Sequence, residues 1–326
     1  MILLFLLMPP TSMLQLCNVK GDRGLVLTSD GVVTVHFIDV GQGDSIFIDT
    51  SNLDVLVDGG TQASGITVLN YLANQNITRV DLMVASHMDE DHIGGLSVIL
   101  ASSIQVGVVL VNGMAANTAT YTSFIDLAQN HTMIITHRGQ TYVLTQTANL
   151  TILNPTQPLQ FTNQNDNSIV MRLQIGETSF LLTGDAGADA EQSMLSAGLT
   201  LQSDVLKVAH HGSRYGTTTQ FLDNVMPSYA IISAGKNNPY GDPSQETIQR
   251  LMAHGVTIYG TFESGTIVAT SDGTLITFQD TPKPVPEFPP IAIPLTIVAV
   301  MLLVVKAKRR ERFRARMKRK CSHFWL

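Results

Sequence analysis

The 326-residue chain has only two cysteines, Cys17 and Cys321, and they stand near its opposite ends. The long stretch between them therefore has no disulfide and no thiolate, so any metal held there must be taken by histidine and carboxylate. Basic side chains are scarce until the carboxyl end. The formal charge is −6, but KAKRRERFRARMKRK (Lys306 to Lys320) holds 10 Lys or Arg against one Glu, which leaves the rest near −15. Such a surface repels nucleic acid at long range, so a polyanion has to be held by bound metals or small basic patches. There is no internal repeat. The apolar run MILLFLLMPPTSMLQLC resembles the core of an export signal yet lacks a basic stretch ahead of it; residues 1–23 are read as that segment. Sequons at Asn76, Asn130 and Asn149 fit an exported surface.

One long hydrophobic run closes the chain. FPPIAIPLTIVAVMLLVV, Phe288 to Val305, carries no charge, and about 18 helical residues just reach across a bilayer core. With the basic cluster directly behind it, the expectation is a transmembrane anchor over 291–305 and a cytoplasmic tail over 306–326. The folded domain, 24–280, then lies outside the cell membrane. Between them QDTPKPVPEFPP is Pro-rich, with 281–290 as an extended linker.

Inside the domain, short apolar runs alternate with turn signals and amphipathic stretches. VVTVHFIDV, SIFIDT and DVLVDGG predict three successive strands broken by GQGD and SNLD. A helix is predicted from Thr67 to Asn74, then RVDLMVAS as a buried strand. Further strands are expected at VGVVLV, MIITH, YVLT, NLTIL, SIVMRLQI, TSFLLTGD, DVLKVAHH, YAIISAG and TIYGT. Helices are expected near Thr122–Asn130, Ala188–Ala197, Thr218–Asn224 and Ser244–His254. Many strands with helices between them, but no strict βαβ regularity, imply two sheets flanked by helices.

Charged residues make up only 14% of the chain, yet SHMDEDHIGG puts two histidines, two aspartates and a glutamate within six residues directly after a predicted strand. Read plainly, this is a charged turn capping a helix, with Asp91 as the cap. Imidazole and carboxylate at H-x-D-x-D-H spacing instead suit a divalent ion, Zn²⁺ or Mn²⁺, on His87, Asp89, Asp91 and His92. FLLTGDAG places Asp185 at the end of another apolar strand, where a bare carboxylate is costly unless paired or bound to a cation. LKVAHHGS does the same for His210 and His211. Three polar clusters at apolar strand ends read together as parts of one metal site.

These motifs, with HFIDVGQGDSIFI, LVDGG, NDNSIVMRL and SAGKNNPYGDPSQET in the same order, resemble the metallo-β-lactamase superfamily over about Val33 to Phe278. Within it, the chain resembles the detached hydrolase domain of ComEC-type competence proteins. The resemblance implies an α+β fold, a four-layer αβ/βα sandwich, here followed by the transmembrane helix. It implies two divalent ions: His87 and Asp89 on the first, Asp91 and His92 on the second, Asp185 bridging, and one of His210 and His211 completing the second. Asp58 would buttress the ligand loop, and Asp39, Gln42 and Asp44 would border the site. The histidine that often completes the first site has no counterpart; Asn167 and Ser168 stand in that part of the order, which implies a weakly held first ion or one-ion chemistry. Asp242 stands where histidine often follows Tyr-Gly. The ending PEFPP, apolar span and basic cluster is also similar to archaeal PEF-type sorting tails.

The function expected is a membrane-tethered, extracytoplasmic phosphodiesterase or nuclease using a metal-bound hydroxide, with Asp91 or Asp89 accepting the water's proton. Its partners would be a phosphodiester or other ester, DNA included, and the membrane. Lys207, Arg214 and Lys236 are candidates for neutralising phosphate, or simply surface charges; Ser213 and Tyr215 are candidate substrate contacts. A small ester, such as a phosphocholine-like diester or a lactone, is the second expectation. The third is a non-catalytic surface module braced by metal.

Overall fold

Strands buried on both faces read as continuous apolar runs, and this chain has many. The computed structural model describes residues 31–285. The first half contains β1 (Val33–Phe37), β2 (Ile46–Asp49), β3 (Val55–Val57), α1 (Gly65–Asn74), β4 (Arg79–Val84), α2 (Glu90–Leu100), β5 (Gln105–Val111), α3 (Ala119–Ala128) and β6 (Thr132–Ile135). The second continues with β7 (Thr141–Val143), β8 (Ala148–Asn154), β9 (Val170–Ile175), β10 (Thr178–Leu182), α4 (Ala188–Ser196), β11 (Val205–Lys207), α5 (Thr219–Val225), β12 (Tyr229–Ile232), α6 (Gln245–Ala253) and β13 (Thr257–Gly260). It closes with α7 (Thr261–Ser264), β14 (Ile267–Ser271) and β15 (Ile276–Phe278).

Among the described residues these strands form two sheets, in the orders β15-β14-β1-β2-β3-β4-β5-β6 and β13-β12-β11-β10-β9-β8-β7. Each half begins as an antiparallel meander and turns parallel: β3 to β6 in one sheet, β10 to β13 in the other. Parallel neighbours need crossovers, which α1 to α3 and α4 to α6 supply. Side-chain alternation then divides the core. Ile46 and Ile48 of β2, with Phe180 and Leu182 of β10, meet between the sheets. Phe47 points the other way, toward Leu72, Leu96 and Phe124 of α1 to α3. Leu181 likewise turns toward Met194, Phe221 and Leu251 of α4 to α6. The result is the expected sandwich of helices, sheet, sheet and helices, each fully buried Phe or Leu contributing roughly 1.5–3 kcal/mol.

Several boundaries differ from the sequence reading. The last hairpin, β14 and β15, was absent from it, although Asp272-Gly273 is a recognised hairpin signal. β14 pairs with β1, so the chain returns to the first sheet after completing the second. Helix α3 starts three residues early because Thr118 caps it, its hydroxyl accepting from Tyr121 N. Part of the proposed linker belongs to the domain: Pro284 bridges Tyr259, and Val285 N donates to Ile258 O. The segments 1–23, 291–305 and 306–326 lie outside the described residues. Among the described residues no helix is long and apolar enough to cross a membrane.

Candidate metal centre

Ligand-bearing loops leave α/β sheets at the carboxyl ends of parallel strands, because the crossover helices begin there. Asp58 follows β3, His87 follows β4, Asp185 follows β10, and the His210–His211 pair follows β11. The quoted loop leads into α2, whose cap position is taken by Asp89 and not Asp91, and Asp89 makes no side-chain capping bond. Its carboxylate lies 3.4 Å from His87 Nε2 instead. Glycine permits the close approach that fixes this loop: Gly95 N donates to Gly60 O at 2.9 Å, and a Cβ on Gly95 would collide with Gly59 O. The DGG and IGG motifs are thus two halves of one backbone contact.

The side chains converge on a single atom. Asp185 Oδ2 lies 3.3 Å from His92 Nε2, 3.5 Å from His211 Nε2, 3.8 Å from His210 Nε2 and 3.9 Å from His87 Nε2. Asp91 joins from one side, 3.2 Å from His211 Nε2 and 3.9 Å from His92 Nε2. The Nε2 atoms of His87, His92 and His211 and Oδ1 of Asp185 are buried without a hydrogen-bond partner. Buried polar atoms left this way are costly, and a divalent ion satisfies several of them at once. His87, His92 and Asp185 form one cluster of donor atoms, and Asp91, His92 and His211 another, each within 4.8 Å of one another. The donor set fits divalent ions.

A second tier of groups holds the first. Asp58, 1% exposed, accepts from Ser86 N at 2.8 Å and Ser86 Oγ at 2.7 Å, and its Oδ2 lies 2.9 Å from His92 Nδ1. That bond puts the His92 proton on Nδ1 and aims the Nε2 lone pair inward. Ser86 Oγ also lies 3.1 Å from His87 Nδ1, and His211 Nδ1 donates to Ser233 O at 2.9 Å. Behind them Asp44 is ion-paired with Lys207, both buried, and Asp44 Oδ1 is 3.4 Å from His211 Nδ1. Burial opposes charge throughout, yet neighbouring carboxylates raise His211 to about 10 and hold His92 well above the imidazole range. Burial likewise opposes ionisation of Asp185, but the histidines around it hold its carboxyl well below the usual range. A cation on the Nε2 side displaces such protons.

The remaining sequence candidates divide. Lys207 does not reach the surface, so its expected contact with substrate phosphate is replaced by the internal pair with Asp44; an apolar strand interior buries the whole side chain. Arg214 and Lys236 are exposed and face Glu246 and Glu263 at 3.4 and 3.9 Å. Asp39 serves its own turn, accepting from Gly41 N, while Gln42 accepts from Gly235 N and ties the GQGD loop to the loop after β12. Asn167 donates to Phe161 O and Asn163 O, and Ser168 Oγ accepts from Asp185 N, so both brace loops. Ser213 is buried. Tyr215, Asp185 and His210 line an open cleft of about 420 Å³ with Asn163, Asn165, Asp166 and Asp189. Burial raises the Asp242 carboxyl, which sits within electrostatic reach of His210 and His211. Two contributors lie outside the expected set: Ser86, whose place beside His87 is a usable signal, and Asn165, which opens the NDNSIVMRL motif.

Sequence comparison bears on this geometry directly. A profile of the family described as "Metallo-beta-lactamase superfamily" matches residues 38–236. The chain belongs to the metallo-β-lactamase superfamily. This makes it a metal-dependent hydrolase at that level of description. It is 30% identical over 261 residues to "ComE operon protein 3" of Bacillus subtilis, covering 74% of this chain and 33% of that one. It is 31% identical over 238 residues to "Recombination protein 2" of Haemophilus influenzae, covering 72% and 28%. The chain thus spans about a third of the length of the curated relatives it matches. Among solved structures, the metallo-β-lactamase fold protein YhfI of Bacillus subtilis aligns with a TM-score of 0.45 at 13% identity, over 70% of this chain and 96% of that one.

Proposed function

We propose that the chain is a metal-dependent phosphodiesterase acting on nucleic acid, carried on the outer side of a membrane by its apolar carboxyl-terminal run. The observation that carries the reading is the set of imidazole Nε2 atoms and carboxylates gathered on Asp185 at the floor of an open cleft. His87 and Asp89 would hold a first ion, Asp91, His92 and His211 a second, and Asp185 would touch both. The ions, Mn²⁺ or Zn²⁺, supply Lewis acidity toward an ester oxygen and activation of water when bound. Asp185 is enclosed and suited to holding charge, whereas the Asp89 side chain is 46% exposed and can pass a proton to solvent. Asp91, 25% exposed, is the alternative acceptor. The names of two relatives, ComE operon protein 3 and Recombination protein 2, support nucleic acid as the phosphodiester.

A second reading, hydrolysis of a small diester or other ester, is favoured by one observation. The cleft is lined by carboxylates, amides, a tyrosine and a histidine with no Lys or Arg. Residues 31–285 carry 22 Asp and Glu against 8 Lys and Arg. A polyanion entering this field is repelled beyond its reacting phosphate, and a small diester is not.

The deciding experiment offers labelled single-stranded DNA and bis(p-nitrophenyl) phosphate, each with Mn²⁺, to the full chain and to its Asp185→Asn variant. DNA cleavage lost in the variant supports the first reading. Turnover of the small diester alone moves the assignment to the second. Metal binding with neither activity would overturn both and leave a metal-braced binding module.

A further inference from the structure

We propose that His210 is a ligand of the first ion, so that the two adjacent histidines divide between the two ions; this rests on the metal-centre reading above. In the motif order the first site is one imidazole short. The structure offers one from an unexpected direction.

The four histidines of the centre share one pattern. Each Nδ1 has an outer partner: Ser86 Oγ at 3.1 Å for His87, Asp58 Oδ2 at 2.9 Å for His92, Ser233 O at 2.9 Å for His211, and Asn165 Nδ2 at 3.4 Å for His210. Each Nε2 faces Asp185 Oδ2. A metal-bound imidazole is oriented in this way, with the far nitrogen tied and the near one aimed. Asn165 presents Nδ2 to the ring; rotating the amide by 180° puts Oδ1 in its place, to accept from Nδ1–H and leave Nε2 its lone pair. With that rotation His210 takes up the same two-sided arrangement, on the more open side of the centre.

Its separation from Asp91 points to the first ion. His211 Nε2 approaches Asp91 as well as Asp185, whereas among the described residues His210 has no carboxylate other than Asp185 within 4.0 Å. It stands on the cleft side, its side chain 33% exposed. Asn167 and Ser168, which occupy the missing histidine's place in the order, are committed to loop contacts.

The backbone carries an independent mark. His210 has φ 50 and ψ 50, His211 φ 53 and ψ 21, and Gly212 φ 87, a run of three left-handed residues. Non-glycine residues hold that conformation only where surrounding structure enforces it, and they collect at functional sites. In extended backbone adjacent side chains would point to opposite faces. The left-handed turn brings both rings to one carboxylate, which a site using only His211 does not require.

The test loads the full chain with Mn²⁺ and reads stoichiometry by elemental analysis and ion coupling by electron paramagnetic resonance. His210→Asn and His210→Gly both tolerate the left-handed backbone, so neither should disturb folding. Wild type is expected to bind two exchange-coupled ions. Both variants should retain one, weaken the other at least about tenfold, and show an isolated-ion spectrum, with a metal-free melting temperature equal to or above wild type. Two coupled ions of unchanged affinity in both variants would overturn the inference. So would a wild type that binds a single ion, while the hydrolase reading stands. A wild type that binds none removes the metal-centre reading itself.

Discussion

Replacing Lys207 by Met tests whether that side chain serves substrate or structure. Its ammonium is fully buried, ion-paired with Asp44 and 3.4 Å from Gly184 O; Asp44 is 1% exposed. Methionine keeps the length of the side chain and removes the charge, which leaves a carboxylate in the interior beside His211. Breaking a buried pair from one side costs ~3–5 kcal/mol. His211, whose Nδ1 lies 3.4 Å from Asp44 Oδ1, offsets part of this, so the expected loss is at the lower end. For a fold of this size ~1 kcal/mol corresponds to about 2–4 °C, giving a melting temperature lower by about 6–12 °C. Lys207→Met combined with Asp44→Asn removes both charges and should recover more than half of the loss, a coupling that a double-mutant cycle in urea measures directly. A lysine acting on substrate phosphate predicts the reverse: turnover falls and the melting temperature holds. A single variant that melts with wild type, or a double variant that is merely additive, would refute the argument.

Two further outcomes are expected. Asp58→Asn removes the charged acceptor for Ser86 and His92, and should weaken metal binding by about 10–100-fold in a chelator competition while the fold persists. His36 is buried with Nδ1 2.7 Å from Tyr71 Oη, and burial lowers it from 6.5 to about 4 against the opposing pull of Asp54. Because the folded value is the lower one, the unfolded chain takes up the proton first; stability is full above about pH 6.5 and falls toward pH 4, by about 3 kcal/mol in all. His36→Leu should remove that share of the slope in urea unfolding at pH 7 and pH 4.5, and an unchanged slope would sink the assignment.

What the sequence disclosed depended on how local the signal was. SHMDEDHIGG could be read because a strand, a ligand loop and a helix start lie within ten residues. The apolar runs of β2, β4 and β10 could be read because burial on both faces leaves no polar position. The pairing of Asp44 with Lys207 could not, since it joins a turn of the first sheet to a strand of the second. His210 and His211 could not be told apart by spacing, because the left-handed backbone that separates their roles is a product of the turn and not of either residue's chemistry. Asp89 and Asp91 were exchanged as helix cap for a related reason: both are good caps, and the contact between Gly95 and the Gly59–Gly60 segment decides which of them sits at the boundary. The spacer after Phe278 looked uniform in composition, yet its Pro284 and Val285 find an open strand edge at β13.

Charge balance gives the metal centre a further reading. Asp44 and Lys207 cancel within the interior. Asp58, Asp89, Asp91 and Asp185 remain, four carboxylates gathered around imidazoles that are neutral when they act as ligands. Buried charge is stable only when opposed nearby, and among the described residues no lysine or arginine is paired with these four. The carboxylates around His92 and His211 favour their protonated forms, which offsets part of this charge. Two divalent ions would match the four carboxylates charge for charge; one would match the enclosed pair, Asp58 and Asp185, and leave Asp89 and Asp91 partly to solvent. The acidity of this domain and its shortage of basic side chains then have one physical consequence: on the proposed reading, the positive charge that an ester's reacting oxygen needs would arrive with bound metal.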